Sequence, residues 1–244
     1  MIKRIFICCL LLLTAAYFAI AVTVFNSKPI NRIASALELT IADSSSYRFI
    51  SDDEVHTLLK KKKIYPVGKK ESDINVRLLE DAVNKHPFVR KAECYLTSGG
   101  KVRIDIEQRI PLIRVMSDNG DDYYIDNEGK IMPAGRKAIH VAIASGYIDR
   151  KFAQNELFQI GQYLYQDPFW KSQVQQIHVT PKQEIELVPR AGDHIIFIGK
   201  LDNMEEKFSK LRTFYQKGLN HVGWNKYNRL SIEFSNQIIC TKKE

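Results

Sequence analysis

The chain has 244 residues, of which 45% are hydrophobic, 26% charged and 10% aromatic, a balance that buries a core and excludes disorder as the default state. Thirty-six basic against 28 acidic residues leave a formal charge of +8. Bases and acids are nevertheless interspersed and no aromatic-interleaved RNA-binding pattern occurs, so no nucleic-acid partner is expected. From Ile5 to Phe25 there is no charge, and that run would span roughly 31 Å as a helix at about 1.5 Å per residue, the thickness of a hydrocarbon core. It reads as a transmembrane helix over residues 5–27 behind a short tail, residues 1–4, with the lipid bilayer as its partner. Lys3, Arg4 and the small-residue stretch Ala19-Ile20-Ala21 also fit a cleaved signal peptide.

In the body, Leu37 to Ala42 alternates apolar and polar, as a half-buried strand does. Ser51 stands three residues before Glu54, the spacing of a capping box, and Val55, Leu58 and Leu59 share one helical face. Lys60 to Lys63 suit the negative end of that helix. A second helix is predicted from Asn75 to Lys85, with Val76, Leu79 and Val83 inward and Pro87 as a stop. Phe88–Thr97 and Lys101–Glu107 read as two strands joined by Ser98-Gly99-Gly100, with Val102, Ile104 and Ile106 on one face. The order is strand, helix, helix, strand, strand.

The pattern changes near Gln108. Ile110–Val115 and Tyr123–Ile131 are strand-like, and Asn127-Glu128-Gly129 supplies turn chemistry for a hairpin. A helix is predicted over Phe152–Tyr165, with Leu157, Ile160 and Leu164 inward. Strands follow near 176–180, 184–188 and 194–198. A further helix, Asn203–Lys217, carries a core stripe of Met204, Phe208, Leu211 and Tyr215. Arg229 to Cys240 reads as one last strand, in which Leu230, Ile232 and Phe234 alternate with Ser231, Glu233 and Ser235.

Little in the sequence points to catalysis. The six histidines are far apart, with no zinc-ligand spacing, and no nucleophile elbow, phosphate-binding loop or dinucleotide glycine pattern occurs. Asp121 and Asp122 follow Asn119-Gly120 and read as a solvated turn. No catalytic residue, metal site, cofactor or small-molecule substrate is expected. Cys8 and Cys9 lie in the apolar run, while Cys94 and Cys240 imply no disulfide framework and fit either a bonded pair or two small buried hydrophobes.

The stretch from Lys85-His86-Pro87-Phe88-Val89-Arg90 through Cys94-Tyr95-Leu96, then Val102 to Pro111 and Tyr124-Ile125-Asp126-Asn127-Glu128-Gly129, resembles the FtsQ/DivIB cell-division proteins. That resemblance implies an α+β chain with one N-terminal transmembrane helix, a POTRA-like domain over residues 28–108 and a mixed β domain with two helices over 109–244. It also implies a body in the periplasm, enrichment at the division septum, and a non-enzymatic scaffold that recruits membrane division proteins of the FtsB/FtsL type and helps regulate septal wall synthesis. In the family the C-terminal strands receive that partner by strand addition. The matching positions are Leu230, Ser231, Ile232, Glu233, Phe234, Ser235, Asn236 and Gln237, with Phe234 and Asn236 at the contact positions. Phe234 could equally pack inward with Leu230 and Ile232. The rival readings are a POTRA module of another envelope assembly pathway and a membrane-anchored extracytoplasmic enzyme.

Overall fold

The computed structural model describes residues 12–20, 32–42, 48–135, 139–234 and 236–243. Residues 12–20 form helix α1, whose Leu12, Leu13, Tyr17 and Phe18 are exposed. The tail 1–4 and the remainder of the apolar stretch, 5–11 and 21–27, lie outside the described residues. Among the described residues no helix is long and apolar enough to cross a membrane. The chain divides into two units, one of Met1–Ala42 with Ile50–Glu107 and the other of Asp43–Phe49 with Gln108–Glu244.

The first unit runs β1 (Ala36–Ile41), α2 (Asp52–Lys61), α3 (Val76–Asn84), β2 (Val89–Leu96) and β3 (Lys101–Gln108), in the order read from the sequence. Helix α2 starts where expected. Ser51 Oγ accepts from the Glu54 amide at 3.3 Å, and the Glu54 carboxylate accepts from the Ser51 amide at 2.9 Å. Asn75 caps α3 by accepting from the Leu78 amide. Strand β3 lies between the other two, parallel to β1, and the short connection from Leu96 to Lys101 leaves β2 only the antiparallel return. Val102, Ile104 and Ile106 point from β3 into a core that includes Val55 and Leu59 of α2 and Leu79 and Val83 of α3. At about 1.5–3 kcal/mol per fully buried branched side chain, this packing outweighs the marginal stability of helices so short.

The second unit is built on one nine-stranded mixed sheet. Its strands are β4 (Pro111–Ser117), β5 (Asp122–Asp126), β6 (Ile131–Pro133), β7 (Ala142–Gly146), β8 (Val174–Val179), β9 (Ile185–Pro189), β10 (Ile195–Gly199), β11 (Tyr227–Ser231) and β12 (Ile239–Lys242). They lie in the order β12-β11-β10-β9-β8-β7-β4-β5-β6. Parallel pairs occur only where helices or the β5–β6 excursion intervene: β4 with β7, β7 with β8, and β10 with β11.

Between β7 and β8 the helix is continuous from α4 (Arg150–Phe152) through a π-helical stretch (Ala153–Leu157) into α5 (Phe158–Gln166), followed by α6 (Pro168–Gln173). It begins two residues earlier than its apolar pattern, because Asp149 accepts from the Phe152 amide at 2.7 Å and caps the end. Between β10 and β11 run α7 (Met204–Thr213), a second π-helical stretch (Phe214–Leu219) and the single turn α8 (Asn220–Val222). The core lies between these helices and the sheet, with Leu157, Ile160, Leu164, Trp170, Phe208, Leu211 and Tyr215 packed with Ile113, Ile177, Leu187 and Ile196. Cys94 and Cys240 are both free thiols and half-buried.

The C-terminal segment differs from its reading as one strand over Arg229–Cys240. It forms two antiparallel strands, β11 and β12, and the chain turns between them. A single strand there would carry Asn236 and Gln237 straight on, whereas the chain doubles back and spends its second apolar run, Ile238 to Cys240, covering β11.

Candidate partner-binding edge

Two strands end the nine-stranded sheet. Strand β6 is three residues long and closes on Pro133, which has no amide hydrogen to offer a further strand. Strand β12 has no proline and, among the described residues, pairs with β11 alone. Its register is set by Arg229 opposite Thr241, Leu230 opposite Cys240 and Ser231 opposite Ile239, with an irregularity before Tyr227 meets Lys242. Strand β11 in turn lies parallel to β10, pairing Ile195 with Arg229, Ile196 with Leu230 and Phe197 with Ser231. The open edge is therefore Ile239–Lys242.

The eight residues singled out from the sequence are spread over three environments. Leu230 and Ser231 are inside the sheet on β11, and Leu230 is fully buried. Ile232 is buried too, and its amide donates to the Phe197 carbonyl at 2.8 Å. Glu233 is exposed, and Phe234 keeps 51% of its surface, so it does not pack inward with Leu230 and Ile232. Ser235 lies outside the described residues. Asn236 and Gln237 are exposed beyond it. Phe234, Asn236 and Gln237 thus border the edge strand, while the residues that form it come later in the chain. A Ser-Asn pair between two apolar runs is the signal that could have located this hairpin.

Side chains around the edge are partly apolar. Ile239 on β12 is 47% exposed, and Ile195 on β10 is exposed as well. Arg229 lies 4.4 Å from the centroid of the Phe197 ring and pairs with Glu186 at 2.9 Å. Burial raises the Cys240 thiol above its usual range, so it stays protonated. The far end of β12 is fastened by Lys243, whose amide donates to the Lys226 carbonyl and whose ammonium pairs with Asp193 at 3.2 Å. Next to that tie the buried His194 ring is held below its ordinary value, first by burial and then by the Lys243 charge, with Asp193 opposing. Lys242 and Lys243 disfavour pairing of this edge with a second, equally cationic copy of itself. An unpaired row of amides and carbonyls flanked by exposed apolar side chains can take an extended segment as an added strand.

Comparison with known proteins agrees with this architecture. Residues 32–107 match the POTRA-like domain. Residues 110–241, more than half of the chain, match the family model described as FtsQ/DivIB, C-terminal related. A relative from Rhodothermus marinus, named cell division protein FtsQ, is 26% identical over 184 residues, which cover 70% of this chain and 67% of that protein. With its POTRA-like unit followed by the nine-stranded β unit, the chain belongs to the FtsQ/DivIB family.

Proposed function

We propose that this protein is a membrane-anchored, non-enzymatic scaffold of bacterial cell division, and that it recruits membrane division proteins of the FtsB/FtsL type by adding a partner strand to β12. Family membership and a relative named for cell division support the division role. The observation that carries the recruitment reading is the open strand Ile239–Lys242, with Ile239, Phe234, Asn236 and Gln237 exposed along or beside it. The uncharged run Ile5–Phe25 is the proposed anchor, with the tail 1–4 in the cytoplasm and the body in the periplasm at the septum. Through its partners the scaffold helps regulate septal peptidoglycan synthesis and performs no chemistry itself. The membrane-anchored enzyme is the rival reading: His140, Tyr165 and Lys171 line a cavity of the second unit, but its described lining residues include no carboxylate, serine, threonine or cysteine to complete a constellation with them.

The test is binding of the full chain, in a membrane mimetic, to an FtsB/FtsL-type partner. The amides of Thr241 and Lys243 face β11, so the outward amides of the edge include that of Lys242. Replacing Lys242 by proline is expected to weaken binding by about tenfold or more, since the loss of even one or two intermolecular backbone hydrogen bonds at about 0.5–1.5 kcal/mol each is of that order. The variant's far-ultraviolet circular dichroism must stay that of the wild type. Binding that survives Lys242→Pro in a folded protein would remove β12 as the docking strand, and absence of any binding by the wild type would remove the recruitment reading.

A further inference from the structure

The second unit contains a cavity of about 670 Å³ at the N-terminal ends of β4 and β7, beside α5 and α6. The apolar part of its wall is made in part by Phe49, Ile110 and Ala142, with the buried Ile113 and Trp170 behind them, and His140 adds a polar group. Gly161 lets α5 lie against β4 on one side, because a Cβ there would come within 2.6 Å of the Ile113 side chain. Arg48, Lys171 and Arg190 also line the cavity, and all three are exposed. Lys171 is held with its ammonium 4.0 Å from the centroid of the Tyr165 ring. No aspartate or glutamate is among the described residues that line it.

This combination differs from the β12 edge in kind. An edge strand recognises an extended backbone, whereas a concave, mainly apolar cavity of a few hundred cubic ångströms is of the size that encloses a small molecule. A cleft whose charges are all of one sign focuses the field and concentrates ligands of the opposite sign. We propose that this cavity is a binding site for a small anionic amphiphile, a molecule with one carboxylate or phosphate head and a single hydrocarbon tail. The tail lies against the part-exposed Phe49, Ile110 and Ala142, in front of the buried Trp170, and the head meets Lys171 and Arg190. Headgroup charge supplies the selectivity and tail burial the affinity, at about 0.8 kcal/mol per methylene removed from water.

Trp170 lines the cavity and makes it observable. The chain has two tryptophans, so Trp224→Phe leaves Trp170 as the sole indole emitter. The full chain carrying that change, held in a zwitterionic amphipol, would be titrated with octanoate, with octyltrimethylammonium and octanol as matched tails of opposite and no charge, and with acetate and inorganic phosphate as heads alone. A saturable change in Trp170 emission with octanoate, absent with octyltrimethylammonium, is expected. Arg190→Ala and Lys171→Ala should each weaken it by up to about fivefold, the scale of one part-exposed ion pair. Ala142→Phe, which places a ring at the cavity wall, should abolish it while thermal unfolding shows the fold intact. Equal responses to the anionic and cationic tails, or an octanoate response unchanged in both Arg190→Ala and Ala142→Phe, would overturn the assignment. Saturation by phosphate alone would overturn the amphiphile in favour of a simple anion site. A response only to a short acidic, leucine-rich peptide would overturn it in favour of a second protein-docking site.

Discussion

His194 carries its Nε2 2.6 Å from the Tyr215 hydroxyl in a buried aromatic cluster with Trp224, and its Nδ1 has no hydrogen-bond partner among the described residues. Burial and the Lys243 charge lower its proton affinity in the folded state, so the unfolded chain binds that proton more readily. The stability this group contributes is therefore complete above the unfolded value of 6.5 and is lost as pH falls below it toward the lowered folded value. Both tryptophans belong to the second unit, so tryptophan fluorescence follows its unfolding without interference from His86 in the first. The thermal midpoint seen this way should fall between about pH 7.5 and about pH 5.5, and His194→Gln should shrink that fall whatever it does to the midpoint itself. Gly161 offers a second test at this scale. A Gly161→Ala change gains up to about 1 kcal/mol of helix propensity, but overpacking against the fully buried Ile113 costs about 1–3 kcal/mol. The variant is expected to unfold earlier, by up to about 2 kcal/mol net, in a denaturant titration.

The turn between β5 and β6 is organised by one carboxylate. Asp126 is almost wholly buried, and its Oδ1 accepts from the amides of Glu128 and Lys130 at 3.0 and 2.7 Å. Its Oδ2 takes the Arg109 guanidinium at 2.6 Å, and Arg109 also donates to the Ile131 carbonyl. Gly129 completes the turn at φ 75°, where an added Cβ would crowd the Phe158 ring. Asp126→Ala leaves a largely buried guanidinium and two amides without their acceptor, and should cost about 3–5 kcal/mol by calorimetry. Asp126→Asn, which keeps an acceptor for the turn amides, should recover part of that loss. The turn was readable from Asn127-Glu128-Gly129; the role of Arg109 was not, because seventeen residues separate it from Asp126. Lys207 shows the same limit. It lies on α7 beside the core residue Phe208, yet it is buried, with its ammonium donating to the Ile198 and Lys200 carbonyls and to Asp202, which fastens α7 to the end of β10.

Across the whole molecule the proposed partner site and the proposed amphiphile site are built from different parts of the second unit and are expected to fail separately. Lys242→Pro should weaken partner-strand binding and leave the Trp170 response to octanoate intact, whereas Ala142→Phe should abolish that response and leave partner binding intact. Phe234→Ala, which removes an exposed ring beside the edge, should weaken partner binding by about fivefold to tenfold in a pull-down titration, the range of a single aromatic contact. Local signals in the sequence were enough for the first unit: the capping box at Ser51, the apolar stripe of Leu79 and Val83 before Pro87 and the two-residue alternation of β3 each state their own element, and their order follows the chain. They were also enough for the core stripes of the second unit, because a helix or strand that buries one face must repeat apolar residues at its own period. The identity of the open edge was decided only in the tertiary structure. Leu230 and Ile239 are both branched apolar residues of strand-like runs, and which of them lies inside depends on β11 entering the sheet beside β10, a parallel pairing made across a crossover of 27 residues, 200–226. The same holds for the cavity, whose cations come from positions as far apart as Arg48, Lys171 and Arg190. Periodicity records which face of an element is buried; which elements become neighbours is settled by long-range packing, and edges and cavities are properties of that packing.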